Sequence, residues 1–213
     1  MGSDIYTVGH STQSSERFIG LLQQHGIDAI ADVRSAPYSR RNPQFNREDL
    51  SAALKSAGIR YVFLGEELGA RSNDDCCYVN DKVSYALLAK THLFQSGIDR
   101  VLRGALSHNI ALMCAEKEPL DCHRTILVAR EIVDRGSRVS HILGDGSLES
   151  HDQTITRLAA QLGLGDADLF RSRSLTTAEA YERQADLIAY DRKAYQLVKG
   201  RPAEVRLQNS ESR

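Results

Sequence analysis

Ile110-Ala111-Leu112-Met113 is a run without a polar member, followed by Cys114-Ala115-Glu116 and then by a helical pattern over 121–135 that stops at Gly136. A strand that is apolar on both faces belongs in the middle of a parallel sheet covered by helices on each side, whereas a half-exposed strand alternates. Working outward, Ile5-Tyr6-Thr7-Val8, Ala29-Ile30-Ala31 with Val33, and Tyr61-Val62-Phe63-Leu64 read as three earlier strands, and 139–143 as a fifth. Helical patterns stand between them. The first, 14–24, sets Phe18, Leu21 and Leu22 on one face, with Ser14 or Ser15 as cap and His25-Gly26 as stop. Others follow at 46–57 (capped by Asn46, closed by Gly58), 81–108 and 149–162. This alternation predicts an α/β protein, a three-layer α/β/α arrangement around a mostly parallel, Rossmann-like sheet of about five strands.

Two polar loops, 35–45 and 65–80, interrupt the pattern. After Gly163 the composition shifts to a charged helix over 176–198, carrying Leu187, Ile188 and Leu197, and then to a polar end. The expected division is an α/β domain over 4–170 and a helical C-terminal extension over 171–213.

The 213 residues include 27 Lys and Arg against 28 Asp and Glu, so no global field favours nucleic acid or an anionic membrane. No apolar run reaches the ~20 residues that span a bilayer. The first residues lack the cationic and apolar regions of a secretory signal, and four cysteines are too few for a disulfide framework. The expectation is a cytoplasmic protein whose cysteines are reduced.

Ligands of open α/β sheets bind beyond the carboxyl ends of the strands. Those ends carry His10, Ser11 and Thr12 after the first strand, Asp32, Arg34 and Ser35 after the second, and Glu66, Glu67, Gly69 and Arg71 after the third. Cys114 and Glu116 follow the fourth, with Cys122-His123-Arg124 opening the next helix, and Asp145-Gly146 follows the fifth. Cys122 in a first helical turn beside His123 and Arg124 suits a thiolate nucleophile or redox thiol. Cys114, Cys122 and His123 also have the donor types for zinc, although adjacent Cys122 and His123 and the long spacing are unusual for one; burial as a small core residue is the plain reading of Cys114. Glu116 is a candidate general acid or base, and His10 and Asp32 are further proton-transfer candidates. Arg124 with the helix start, together with Arg34, Ser11, His123 and Arg71, would hold an anionic substrate; the plainer role for Arg124 is an ion pair with Glu116 or Asp121. Arg40, Arg41 and Arg47 form the one local basic cluster, a solvated loop or a phosphate contact. Cys76-Cys77 lies in a polar loop. No P-loop, GxGxxG after the first strand or GxSxG is present, and no cofactor is evident.

Thr7-Val8-Gly9-His10-Ser11, Asp32-Val33-Arg34 with Pro37 and Ser39, Leu68-Gly69-Ala70-Arg71, Met113-Cys114-Ala115-Glu116 leading to Cys122-His123-Arg124, and Val139-Ser140-His141-Ile142 together resemble the domain-of-unknown-function 488 family. The tail, Leu175 to Tyr181, is similar to the ending of a longer bacterial subgroup, and Ala70 stands where a second glycine is expected. The resemblance implies an α/β domain and supplies no reaction. The residues lead to an enzyme-like protein that takes a small anionic, nucleotide-like substrate. Cys122 would serve as its thiol, or Glu116 and Asp32 would cleave an N-glycosidic bond. The alternatives are a nucleic-acid-binding or accessory protein of repair or defence, and a zinc protein using Cys114, Cys122 and a histidine.

Overall fold

The computed structural model describes residues 4–164 and 173–200. Its main sheet has six strands: β1 (Asp4–Gly9), β2 (Ala29–Asp32), β3 (Arg60–Phe63), β6 (Ile110–Cys114), β7 (Arg138–Ile142) and β8 (Leu148–Ser150). They lie in the order β3-β2-β6-β1-β7-β8, and only β8 runs antiparallel to its neighbour. The α/β expectation is met, with β8 as a sixth strand at one edge. A separate hairpin pairs β4 (Tyr78–Val79) with β5 (Lys82–Val83).

The central strand β6 explains both layers. Ile110, Leu112 and Cys114 face one core, while Ala111 and Met113 face the other. The second core receives Phe18, Leu21 and Leu22 from α1 (Ser15–Gln24) and Leu50 and Leu54 from α2 (Arg47–Ser56). The first receives Phe94, Ile98 and Val101 from α5 (His92–Gly104), Ile132 from α6 (Arg130–Asp134), and Ile155 and Leu158 from α7 (His151–Gln161). Each fully buried aliphatic or aromatic side chain contributes about 1.5–3 kcal/mol, so the two faces of β6 tie the layers together.

Local chemistry sets the ends. Ser14 caps α1 through the Arg17 amide, and Gly26 and Gly58 take the left-handed conformations that stop α1 and α2. Asn46 precedes α2, but its Oδ1 accepts from the Ser39 amide instead, at 2.8 Å. Ser150 and Gln153 form a reciprocal capping box on α7.

Four predicted stretches are corrected. The stretch 81–108 is not one helix. Asn80 and Asp81, both at positive φ, make the two-residue turn of the β4–β5 hairpin. Ser84 then caps α4 (Tyr85–Leu88), and Thr91 caps α5. The loop 65–80 likewise opens with α3 (Gly65–Leu68). The stretch 121–135 is broken as well: a 3-10 turn (Pro119–Asp121), an extended Cys122, a π-helical segment (Arg124–Ala129) and only then α6. Finally, the 149–162 helix starts at His151, because the preceding residues form β8.

The charged C-terminal pattern comprises α8 (Arg173–Ile188) and α9 (Arg192–Gly200). Ala180 and Tyr181 of α8 join the main core, and between α8 and α9 the Tyr190 carbonyl and the Arg192 amide bond to Val83 and Asp81 of the hairpin region. The expected boundary at 170/171 and the polar end beyond 200 lie outside the described residues.

Candidate functional site

Because β6 is inserted between β2 and β1, three adjacent strands deliver their carboxyl ends side by side. The His10 amide bonds the Cys114 carbonyl and the Ser11 amide bonds the Ala115 carbonyl, both at 2.9 Å, stitching the loop after β1 to the loop after β6. Ser11 sits at φ 51°, a left-handed conformation uncommon for a side chain with a Cβ and typical of over-determined sites. Gly9 has no room for a Cβ, which would overlap the Glu116 carbonyl.

The loop after β2 carries a buried ion pair. The Arg34 amide and Nε donate to Asp32 Oδ1 at 3.1 and 2.9 Å, Nη2 donates to Oδ2 at 2.6 Å, and the Tyr61 hydroxyl donates to Oδ2 at 2.7 Å. Burial beside this carboxylate pushes the Tyr61 hydroxyl far above its usual range. Asp32 is completely buried and its oxygens are filled, so it positions Arg34 and cannot reach a guest. Arg34 Nη1 donates to His10 Nε2 at 3.2 Å, while His10 Nδ1 donates to the Ser11 carbonyl at 2.8 Å. These bonds specify the neutral Nδ1–H tautomer. Burial, with the Arg34 charge adding to it, lowers His10 to about 4. Its ring stacks on Phe45 at 4.2 Å.

His10, Ser11, Thr12, Arg34, Glu116 and Lys117 line a cavity of about 330 Å³, completed by residues of the loop between β2 and α2, Tyr38, Ser39 and Asn42 among them. Glu116 is exposed on the cavity side, and its Oε2 lies 2.9 Å from Cys122 Sγ. Desolvation of its carboxyl and the nearby sulfur raise its proton affinity above the ordinary carboxylate range. A larger groove of about 910 Å³ runs between the hairpin and α8, and none of the candidate site residues read from the sequence lines it.

Cys122 is not in a helical turn but at the N-cap. Its backbone is extended, its carbonyl accepts from the Thr125 and Ile126 amides, and its sulfur accepts from the Arg124 amide at 3.5 Å. Cys122 is 1% exposed and lies beneath Glu116 rather than on the cavity wall, so a guest in the cavity meets Glu116 first. Burial opposes a thiolate there, but the Cys114 hydrogen bond, the Arg124 charge and His123 outweigh it and hold Cys122 well below the ordinary thiol range. Burial and the neighbouring Cys122 drive Cys114 the other way. His123 Nε2 donates to the Val33 carbonyl at 3.0 Å, leaving Nδ1 3.7 Å from Cys114 Sγ and 3.9 Å from Cys122 Sγ.

Arg124 corrects the sequence expectation most. It is fully buried, and its guanidinium donates to the Glu116 carbonyl (2.8 Å), the Lys117 carbonyl (3.4 Å) and the Thr7 hydroxyl (3.4 Å). It neither lines the cavity nor pairs with Glu116 or Asp121; it braces the loop that carries Glu116, and its charge favours an anionic Cys122. The helix start at Cys122 is correspondingly closed to an anion. Arg71 also lies off the cavity, its guanidinium over the rings of Tyr190 and Tyr195. Arg40 and Arg41 are exposed between the cavity-lining Ser39 and Asn42, and Arg47 covers the Phe63 ring. Cys76 is exposed and Cys77 buried, both free, with Asp74 as the first cause that raises Cys76 to about 11.

The structure brings His10, Ser11, Arg34 and Glu116 to one cavity; the sequence reading did not single out Tyr61, which holds the Asp32–Arg34 pair, Phe45 under the His10 ring, Lys117 on the cavity wall or the Val33 carbonyl that holds His123. It also missed a buried chain: Thr7 Oγ1 to His141 Nδ1 (2.7 Å), His141 Nε2 to His151 Nδ1 (3.0 Å), and His151 Nε2 to the Tyr181 hydroxyl (2.6 Å). Cys114, Cys122 and His123, with donor atoms within 4.8 Å of one another, and Asp74, Cys76 and Cys77 are the metal-capable groups among the described residues.

Among the described residues no helix is long and apolar enough to cross a membrane. No curated protein and no solved structure matches the chain. One family model does match, over residues 14–130, a span that holds β2, β3 and β6, the Asp32–Arg34 pair and the whole Cys114–Arg124 segment. With more than half the chain inside that match, the protein belongs to the family described as domain of unknown function DUF488.

Proposed function

We propose that the protein is an enzyme that binds a small anionic, nucleotide-like substrate in the cavity at the carboxyl edge of the sheet and moves a proton through Glu116. One observation carries this reading: Glu116 both lines the cavity and touches the buried Cys122 sulfur, 2.9 Å away. A carboxyl group half in the site and half in a desolvated pocket is the arrangement that matches an acid to proton transfer near neutral pH. Lys117 supplies positive charge on the cavity wall, Arg34, its charge balanced by Asp32, supplies guanidinium N–H groups, and Ser11, Thr12, Ser39 and Asn42 supply hydroxyl and amide groups for a ribose-like partner. Asp32 and Tyr61 hold Arg34 in place. Cys122 stands behind Glu116 as a partner of its carboxyl, not as the group a substrate meets.

The test is calorimetric titration of the full chain with inorganic phosphate, ribose 5-phosphate and adenosine 5′-monophosphate at low salt. Binding that strengthens along that series and weakens on the order of tenfold in Lys117→Ala and Arg34→Gln supports the reading. Turnover of a bound nucleotide, followed by mass spectrometry, should fall roughly 10²–10⁴-fold in Glu116→Gln. Absence of binding to all three probes overturns it.

A second reading draws on Arg40 and Arg41, exposed between two cavity-lining residues. A polynucleotide crossing the mouth would meet both. Its affinity would then fall with salt, and Arg40→Ala with Arg41→Ala would lower the slope by about 2.

A further inference from the structure

We infer that Cys114, Cys122 and His123 form a binding site for a borderline-soft divalent cation of the zinc type, set beneath the cavity. The inference rests on the buried cluster alone and does not depend on what the cavity binds.

Three features of the geometry carry it. First, all three side chains are buried, at 3%, 1% and 8% exposure, and converge from two segments, the end of β6 and the N-cap after the 3-10 turn. Two thiolates and a neutral imidazole around a divalent ion sum to no net charge, which suits a desolvated site. Second, the spacing fits. An ion held at ~2.3 Å by sulfur and at ~2.0–2.1 Å by nitrogen, in tetrahedral geometry, sets sulfur and nitrogen about 3.6 Å apart. The two observed edges from His123 Nδ1 are 3.7 Å to Cys114 Sγ and 3.9 Å to Cys122 Sγ. Third, the imidazole is already oriented. His123 Nε2 donates to the Val33 carbonyl at 3.0 Å, so Nε2 keeps its proton and Nδ1 is the nitrogen turned toward the sulfurs, where a bound cation would replace any proton it carries. Such a bond from the non-ligating nitrogen to a backbone carbonyl is what fixes a metal-binding histidine.

Three protein ligands leave a fourth position. Glu116 touches Cys122 from the cavity side but is not among the converging donor atoms, so the fourth position would be left to a water that Glu116 could engage, and such an open position distinguishes reactive from purely structural zinc sites. The other cluster, Asp74, Cys76 and Cys77, is a weaker candidate, because Cys76 is exposed and Asp74 is engaged by the Cys76 amide.

The experiment titrates chelator-treated, reduced full-length protein with cobalt(II), a visible reporter for zinc. The expected result is one equivalent bound, with thiolate-to-cobalt charge-transfer absorption and four-coordinate ligand-field bands, displaced by one equivalent of zinc. His123→Ala should weaken binding at least tenfold, and Cys76→Ser with Cys77→Ser should leave it intact. Because altering a buried cysteine puts folding at risk, X-ray absorption on the zinc form of the unaltered chain gives the second readout, two sulfur ligands and one imidazole nitrogen. No charge-transfer band, a shell of oxygen ligands alone, or loss of binding in the Cys76/Cys77 variant would overturn the inference.

Discussion

Glu116 Oε2 and Cys122 Sγ are 2.9 Å apart, and Cys122 is 1% exposed. The carboxyl group therefore separates the thiol from the cavity. Removing it should open the sulfur to small reagents. In Glu116→Ala, with chelator present, alkylation of Cys122 by iodoacetamide should accelerate on the order of tenfold over the unaltered chain, read by timed peptide mass spectrometry. Equal rates in the two proteins would show that Glu116 does not shield the thiol.

Asp32 balances a guanidinium that is 5% exposed. Asp32→Asn keeps the shape but leaves Arg34 as a buried, uncompensated charge, which costs about 3–5 kcal/mol. Tyr61→Phe removes a single hydrogen bond to the same carboxylate and should cost about 1.5–3 kcal/mol, less than loss of the charge. Urea unfolding of both variants checks the order. A Tyr61→Phe loss as large as that of Asp32→Asn would place the pair's stability in the hydroxyl and not in the charges.

Gly9→Ala should disable the site without removing any polar group. The added Cβ meets the Glu116 carbonyl, the acceptor of the Arg124 guanidinium bond, so the loop that carries Glu116 must shift. Overpacking of this kind costs about 1–3 kcal/mol. A stability change within error, with unchanged Cys122 alkylation, would mean the loop yields freely.

The His141–His151–Tyr181 chain predicts an acid limb in stability. Burial lowers His151 to about 4 and His141 well below its usual value. His151 meets His141, Tyr181 and the charge of Asp152. In the unfolded chain both imidazoles take up protons near pH 6.5, while the folded protein refuses them, so between about 6.5 and 4 the unfolded state binds more protons. Stability is full above pH 6.5 and declines toward pH 4, by about 3 kcal/mol from His151 alone. Denaturant midpoints at pH 7.5 and 4.5 measure it, and His151→Gln should flatten the decline. An equally steep decline in that variant would assign the limb to other groups.

Much of this architecture is legible in the residues because hydrophobic periodicity reports burial. The all-apolar 110–114 run marks the central strand, and the polar residues that follow each strand mark the rim. The segment around Cys122 is not legible that way. Its apolar spacing is helical, yet Pro119 starts a 3-10 turn and Cys122 stays extended so that its sulfur can cap the next helix. Arg124 reads as an anion ligand because its type and position suit one, but its use is decided by carbonyls contributed at 116 and 117, which periodicity cannot locate. The hairpin at 78–83 did carry a signal, the Asn80-Asp81 turn pair, and long-range helical patterning masked it.

On the proposed reading, the rim formed by β2, β6 and β1 receives an anionic guest at Arg34 and beside Glu116. A crystal structure of the protein grown with adenosine 5′-monophosphate tests it most directly. The expected result is a phosphate within hydrogen-bond distance of the Arg34 guanidinium, with Glu116 facing the nucleoside. A nucleotide seated elsewhere, with the cavity beside His10 holding only solvent, would contradict it.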